Sequence, residues 1–398
     1  MFVPFALLFV MGLEATGKTN TSAPQVAAGW DGLQAQWPRA IDFTSSKVTE
    51  RSVGRRSCVL TGNDRDGPIQ AIVVERSGFL AATLVDGSGI RWGARGVAGK
   101  PLQFEILPPE AMQDCAGAVE APKELLENSL NDQAEGGIAG GCIDAPTVDV
   151  LVITTPAARE QAGGVGPLAA LVDLAETSAN AAYSNSQITP RIRVVFDTEI
   201  PYTEVSFGTD LSTLASGGDG ILDEIHQLRD AAGADLVAMI RSNGEYCGIA
   251  YLMPANDPSV SGIGFSVTAW SCLSTQTFAH ELGHNMGCCH APNDGGGCTT
   301  GGLFPQSVGH RFNGSSGTQY RTVMAYSPGA RIDNFSNPLV NFDNTPTGVA
   351  PSGSDAGRDN AGSIVLTNQA IRGFRCSAPP GSFGDCDQDG RVDIMQLA

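Results

Sequence analysis

Positive charge is scarce in this chain: 24 Lys and Arg stand against 42 Asp and Glu in 398 residues, a formal net charge of −18. Such a surface repels phosphate backbones and anionic lipid, which argues against nucleic acid or a membrane surface as a partner. Long apolar runs are also lacking, and nothing after residue 20 is long and apolar enough to span a bilayer. No internal repeat is visible, so a solenoid is not expected. Only five histidines occur, yet three of them fall within eleven residues.

What is present reads as ordinary folded protein. Hydrophobic residues make up 42%, and 49 glycines imply many turns and long loops. The length exceeds what one core usually serves, so two or three units are expected. The apolar run from Phe2 to Met11 is too short for a bilayer but suits the core of a signal peptide, although no Lys or Arg precedes it. Residues 1–28 are therefore read as a signal peptide and the protein as secreted. Ten cysteines agree with export, because an oxidising compartment can pair them.

Residues 29–116 read as a β-rich unit, with short strands at Gln70–Glu75, Phe79–Val85 and Leu102–Leu107 separated by turn residues. Residues 117–146 turn rich in Gly, Ala and acids and are expected to be a linker. From Val148 the pattern alternates: strands at Val148–Ile153, Ile192–Phe196 and Asp235–Ile240, with helices around Leu168–Ala175 and Ile221–Ala232 between them. Two further short strands, near Gly248–Leu252 and Phe265–Val267, follow. The fold class over 147–376 is thus α/β, with a mixed, mostly parallel sheet.

Residues 280–290 read HELGHNMGCCH. His280 and His284 are four apart, so on a helix both imidazoles leave one face and meet at a single ion. Glu281 points elsewhere and suits a general base acting on metal-activated water. Gly287 can take positive φ, end the helix and turn the chain, which lets His290 approach from outside it. Three imidazoles and one water make an open, catalytic zinc site. His226 and His310 lack such surroundings and read as ordinary polar or packed histidines.

This string matches the extended motif of the metzincin metallopeptidases, and the segment resembles that family, its reprolysin-like members in particular. The resemblance implies a metzincin catalytic domain with an active-site helix, a protein or peptide substrate, and a methionine turn beneath the zinc ligands. Arg321-Thr322-Val323-Met324-Ala325-Tyr326 looks like that turn, with Met324 as a hydrophobic base. Tyr326 occupies the position where astacin-like and serralysin-like members carry a tyrosine that stabilises the tetrahedral intermediate; simple packing is the alternative. Gly248–Leu252 looks like the edge strand against which substrate lies extended. The β-rich unit resembles a propeptide in position and size, with a substrate-binding or adhesive module as the alternative.

At the end of the chain Asp385, Asp387, Asp389 and Asp393 occupy calcium-loop positions 1, 3, 5 and 9, resembling half of a dockerin repeat. That implies Ca²⁺ and a cohesin-like partner, but Gln396 stands where the closing acid belongs, so a solvated acidic tail remains the other reading. Cysteine pairs are expected at Cys58–Cys115, at Cys247–Cys272, and between Cys288 or Cys289 and Cys298. Cys142 is either a zinc-binding switch or a disulfide partner of Cys376, with Cys115 a weaker switch candidate. The functional expectation is a secreted zinc endopeptidase. An extracellular binding module with structural zinc is the alternative, and a metal hydrolase acting on non-peptide bonds is a third.

Overall fold

The computed structural model describes residues 42–52, 54–64, 66–107, 115–127, 147–189, 191–295 and 301–375. The apolar run 2–11, Cys142, Cys298, Cys376 and the four tail aspartates lie outside the described residues. Among the described residues no helix is long and apolar enough to cross a membrane.

Six strands form an antiparallel meander in sequence order: β1 Asp42–Ser52, β2 Arg55–Asn63, β3 Pro68–Arg76, β4 Phe79–Val85, β5 Arg91–Val97 and β6 Gln103–Leu107. The sequence expectation found three of these. It missed β1, β2 and β5, which are rich in polar and charged residues; arginines of the meander, including Arg55 of β2 and Arg91 of β5, turn onto acids that follow residue 147. Arg55 meets Asp173 at 2.9 Å, Arg76 meets Asp197 at 2.9 Å, and Arg91 pairs with Asp333 at 2.5 Å.

The second sheet runs in the order β7-β11-β12-β10-β8-β9, where β7 is Ala118–Val119, β8 Thr147–Thr154, β9 Arg191–Glu199, β10 Leu236–Arg241, β11 Gly248–Tyr251 and β12 Phe265–Ala269. Strands β8, β9, β10 and β12 are parallel, and β11 is antiparallel to β12. This is the mixed α/β sheet expected. Helices α1 Pro156–Ala162, α2 Val165–Asn185, α3 Phe207–Ala215 and α4 Asp223–Ala232 connect its strands. Helix α2 is buried on nearly every face because it lies between the two sheets. On one side it meets the meander, where Gly166 leaves no room for a Cβ beside the Phe79 ring. Ile72, Val74 and Ala81 of the meander share one core with Val150, Leu171 and Val237.

The stretch 117–146 differs from a plain linker at its start. Ala118 and Val119 pair in parallel with Ala250 and Tyr251, and residues 123–127 are helical. An exposed sheet edge offers unpaired N–H and C=O groups to any extended segment nearby, and a two-residue strand leaves no periodicity to detect. Cys247–Cys272 is bonded as expected, with Cα atoms 5.6 Å apart. The Cys58–Cys115 pair does not form: both thiols are buried and free, Cys58 in β2 opposite Val73 and Cys115 beside His284. Cys289 is disulfide-bonded, whereas Cys288 is free.

Candidate metal centre

Helix α5, Thr277–Asn285, carries the first two histidines and is buried along its whole length. Its end is tied to the sheet by one side chain: Asn285 Nδ2 donates to the carbonyls of Tyr251, Ile263 and Phe265 at 2.9, 3.0 and 3.1 Å. Beyond it Gly287 has φ +84°, and a Cβ there would lie 2.7 Å from Leu303 Cβ. The reversal brings His290 back, with Nε2 at 3.0 Å from that of His284 and 3.2 Å from that of His280.

The outer nitrogens decide what this cluster can hold. His280 Nδ1 lies 2.9 Å from Val323 O, His284 Nδ1 2.7 Å from Cys288 O, and His290 Nδ1 3.0 Å from Gly295 O. A carbonyl only accepts, so each Nδ1 carries the proton and each Nε2 of a neutral ring presents a lone pair inward. Burial first, then the neighbouring imidazoles, holds His280 and His284 well below the ordinary histidine range, keeping them neutral. Three lone pairs facing one another repel unless a cation stands between them. Tetrahedral zinc bonded to nitrogen at about 2.0–2.1 Å separates its ligands by about 3.3 Å, close to what is seen. The donor set therefore fits the ion.

Glu281, on the same helix, is turned out of the ring cluster toward β11. Gly248 makes that possible, because a Cβ at this position would stand 2.3 Å from Glu281 Oε1. Met324 is fully buried beneath the helix, where a Cβ on Gly283 would lie 2.7 Å from its sulfur. Tyr326 stands over His290 with ring centroids 4.0 Å apart. Asp294 positions that tyrosine: Oδ2 accepts from Tyr326 N at 2.9 Å, and Arg311, paired with Asp294, donates to Tyr326 O at 3.1 Å. Neither Asp294 nor Arg311 carried a sequence signal. His226 and His310 are elsewhere, the first bonded to Ser216 O at 3.0 Å and the second stacked on Phe312.

A fourth donor enters from the N-terminal side. Cys115 Sγ lies 3.8 Å from His284 Nε2 and 3.5 Å from Glu281 Oε2, and with the three histidines it forms a buried group whose ligand atoms all fall within 4.8 Å. Burial and the Glu281 charge push its thiol well above the usual range, an effect that a bound cation opposes. From Cys115 the chain runs along the edge strand: Ala116 N donates to Gly248 O and Leu252 N to Val119 O, both at 2.9 Å.

The reprolysin-type profile of metallo-peptidase family M12 matches residues 144–336. A peptidyl-Asp metalloendopeptidase of Stenotrophomonas maltophilia (strain R551-3) is 30% identical over 332 residues, covering 82% of this chain and 75% of that protein. The chain belongs to this family of metalloendopeptidases. A second relative of the same name, from Xanthomonas campestris pv. campestris, is 26% identical over 92% of this chain and 82% of its own length. In this metalloendopeptidase the matched region spans every strand of the second sheet except β7 and every residue of the histidine cluster. Both relatives also extend over chain outside it, since they cover far more of the protein than the profile does. The reading as a non-catalytic binding module is thereby set aside.

Proposed function

We propose that the chain is a secreted zinc endopeptidase that cuts beside aspartyl residues and is made as a latent precursor. His280, His284 and His290 hold the ion, and Glu281 is the general base. The observation that carries this is the capping of all three Nδ1 atoms by carbonyls, which aims three bare nitrogens at one point, with the Glu281 carboxylate beside Cys115 Sγ at that centre. When bound there, zinc supplies Lewis-acid polarisation of the peptide carbonyl and acidifies water. Glu281 Oε2 takes the proton of the attacking water and later returns it to the leaving amine. Tyr326 donates its hydroxyl proton in a hydrogen bond to the carbonyl oxygen as charge develops on it. The aspartyl preference follows the name shared by the relatives.

Latency is supported by Cys115, the weaker switch candidate of the sequence; Cys142 lies outside the described residues. The Cys115 sulfur takes the place beside Glu281 Oε2 that water needs, and Ala118–Val119 occupies the edge strand where substrate would pair. The meander then acts as the propeptide. Arg55, Arg76 and Arg91 fasten it to acids of the catalytic domain. The experiment is Glu281→Gln in the processed enzyme. Peptide cleavage should fall by on the order of 1,000-fold while one zinc per chain is retained, since the carboxylate is a base and not a ligand. Cleavage at the wild-type rate by that variant would falsify the mechanism.

A further inference from the structure

One face of α2 is taken up by the meander along most of its length. Gly166, Ala169 and Asp173 are spaced three and four residues apart and so lie on one side of the helix. Gly166 abuts the Phe79 ring, which a Cβ would approach to 2.2 Å. The Ala169 carbonyl accepts from Arg76 Nη1 at 3.4 Å, and Asp173 meets both Arg55 and Arg76, at 2.9 and 3.5 Å. At the far end Asn185 Nδ2 donates to Gln70 Oε1 at 3.4 Å. From Gly166 to Asn185 these contacts follow about 28 Å of helix.

Beyond α2 the same sheet reaches segments of the catalytic domain that flank the metal centre. Thr83 Oγ1 donates to Ser274 O at 3.2 Å, just ahead of α5. Gly89 comes so close that a Cβ would stand 2.3 Å from Ala330 Cβ. Arg91 pairs with Asp333 where the two side chains are 8% and 4% exposed. Ile72, Val74 and Ala81 are fully buried in the core that the catalytic domain uses, and both sheets fall within one compact unit, Pro38–Ala398. Interfaces between separable domains are small and polar, and this one is a continuous core. Undocking would bring its apolar side chains into water. Salt would do little to the ion pairs, because buried pairs are weakly screened.

The chain after β6 is held differently. Ala118 and Val119 pair with β11 over two residues, and the Cys115 thiol sits beside His284. So short a pairing can open while the meander stays in place.

We infer that the meander is a lasting subunit of the enzyme, docked on the face of α2 that carries Gly166 and Asp173. Cut between residues 127 and 147, the chain stays together as a noncovalent pair of fragments, and it works as that pair once the arm from Cys115 to Val119 lets go. Because the docked meander keeps the arm at high effective concentration, the cut alone leaves the site blocked. The inference rests on the latency reading above only for what the arm does.

The test cuts the full-length, zinc-loaded precursor between residues 127 and 147 by limited proteolysis and follows both fragments by native size-exclusion chromatography with mass spectrometry. The two are expected to elute together at micromolar concentration, at low salt and at about 1 M salt. Gly166→Leu fills the space of the Phe79 ring while raising helix propensity, so it should weaken the pair by about tenfold or more in dissociation constant. Should that variant not fold, Phe79→Ala, which removes the ring from the meander side, is expected to weaken the pair similarly. A meander fragment that elutes apart from a folded, zinc-bound catalytic fragment overturns the inference, and so does a dissociation constant within twofold of wild type in the folded variant. Peptide cleavage is measured on the same samples. The cut Cys115→Ser pair, its meander still bound, should exceed the cut wild-type pair by about tenfold or more. Equal activity in those two overturns the latency reading instead, a result distinguishable because elution is read separately.

Discussion

The hydroxyl of Tyr326 donates a 3.0 Å hydrogen bond to the backbone carbonyl of Cys115. The residue proposed to stabilise the transition state thus holds the segment proposed to block the site. On that proposal, departure of the segment would release the same O–H for a substrate carbonyl, and one group would serve both the latent and the active form.

Tyr326→Phe should lower kcat of the processed enzyme by on the order of 100-fold with KM little changed, because one preorganised donor to a developing oxyanion is lost. A tyrosine that merely packs on His290 would leave kcat within a factor of about two, and steady-state kinetics on a single peptide separates the cases.

Cys115→Ser in the uncleaved chain is expected to raise precursor activity by about tenfold or more, since a hydroxyl is a far weaker zinc ligand than a thiolate. Cobalt substituted into the wild-type precursor should show a sulfur-to-metal charge-transfer band that the variant lacks. Activation by Cys142→Ser together with an inactive Cys115→Ser precursor would reverse the assignment.

Gly248→Ala places a methyl group 2.3 Å from the native position of Glu281 Oε1. Displacement of the base by about 1 Å should cost on the order of 100-fold in kcat/KM. Metal stoichiometry should stay at one per chain, which atomic absorption measures; loss of the ion would mean that the glycine supports the ligands instead.

His310 is pushed down to about 4, chiefly by burial and then by Arg358 and Arg311, with Asp355 acting in the opposite direction. An unfolded chain takes up that proton near pH 6.5, the native chain only near 4, so between these values the unfolded state binds more protons and stability falls as pH drops. His310→Gln should flatten the decline in unfolding free energy over that window. Denaturant titrations at several pH values from 7 to 4 give the slope, and an unchanged slope would remove His310 as its source.

Much of the centre was legible because it is local. Four-residue spacing puts His280 and His284 on one helix face whatever surrounds them, and a glycine at 287 permits the turn that returns His290. The β8, β10 and β12 strands were likewise visible as short apolar runs. Strands β1, β2 and β5 were obscured by their polar residues, and Arg55 of β2 and Arg91 of β5 answer to partners more than a hundred residues away.

Tertiary structure alone decided the rest. Cys115 is far from His284 in sequence, and nothing in its neighbours distinguishes it from Cys142; an exposed sheet edge and a two-residue strand bring it to the metal centre. Gly166 reads as an isolated helix glycine until packing of the meander sets the Phe79 ring against it. Spacing along a helix is set by backbone geometry and survives in the sequence, whereas the approach of distant segments depends on packing free energy summed over the whole core and leaves no local trace.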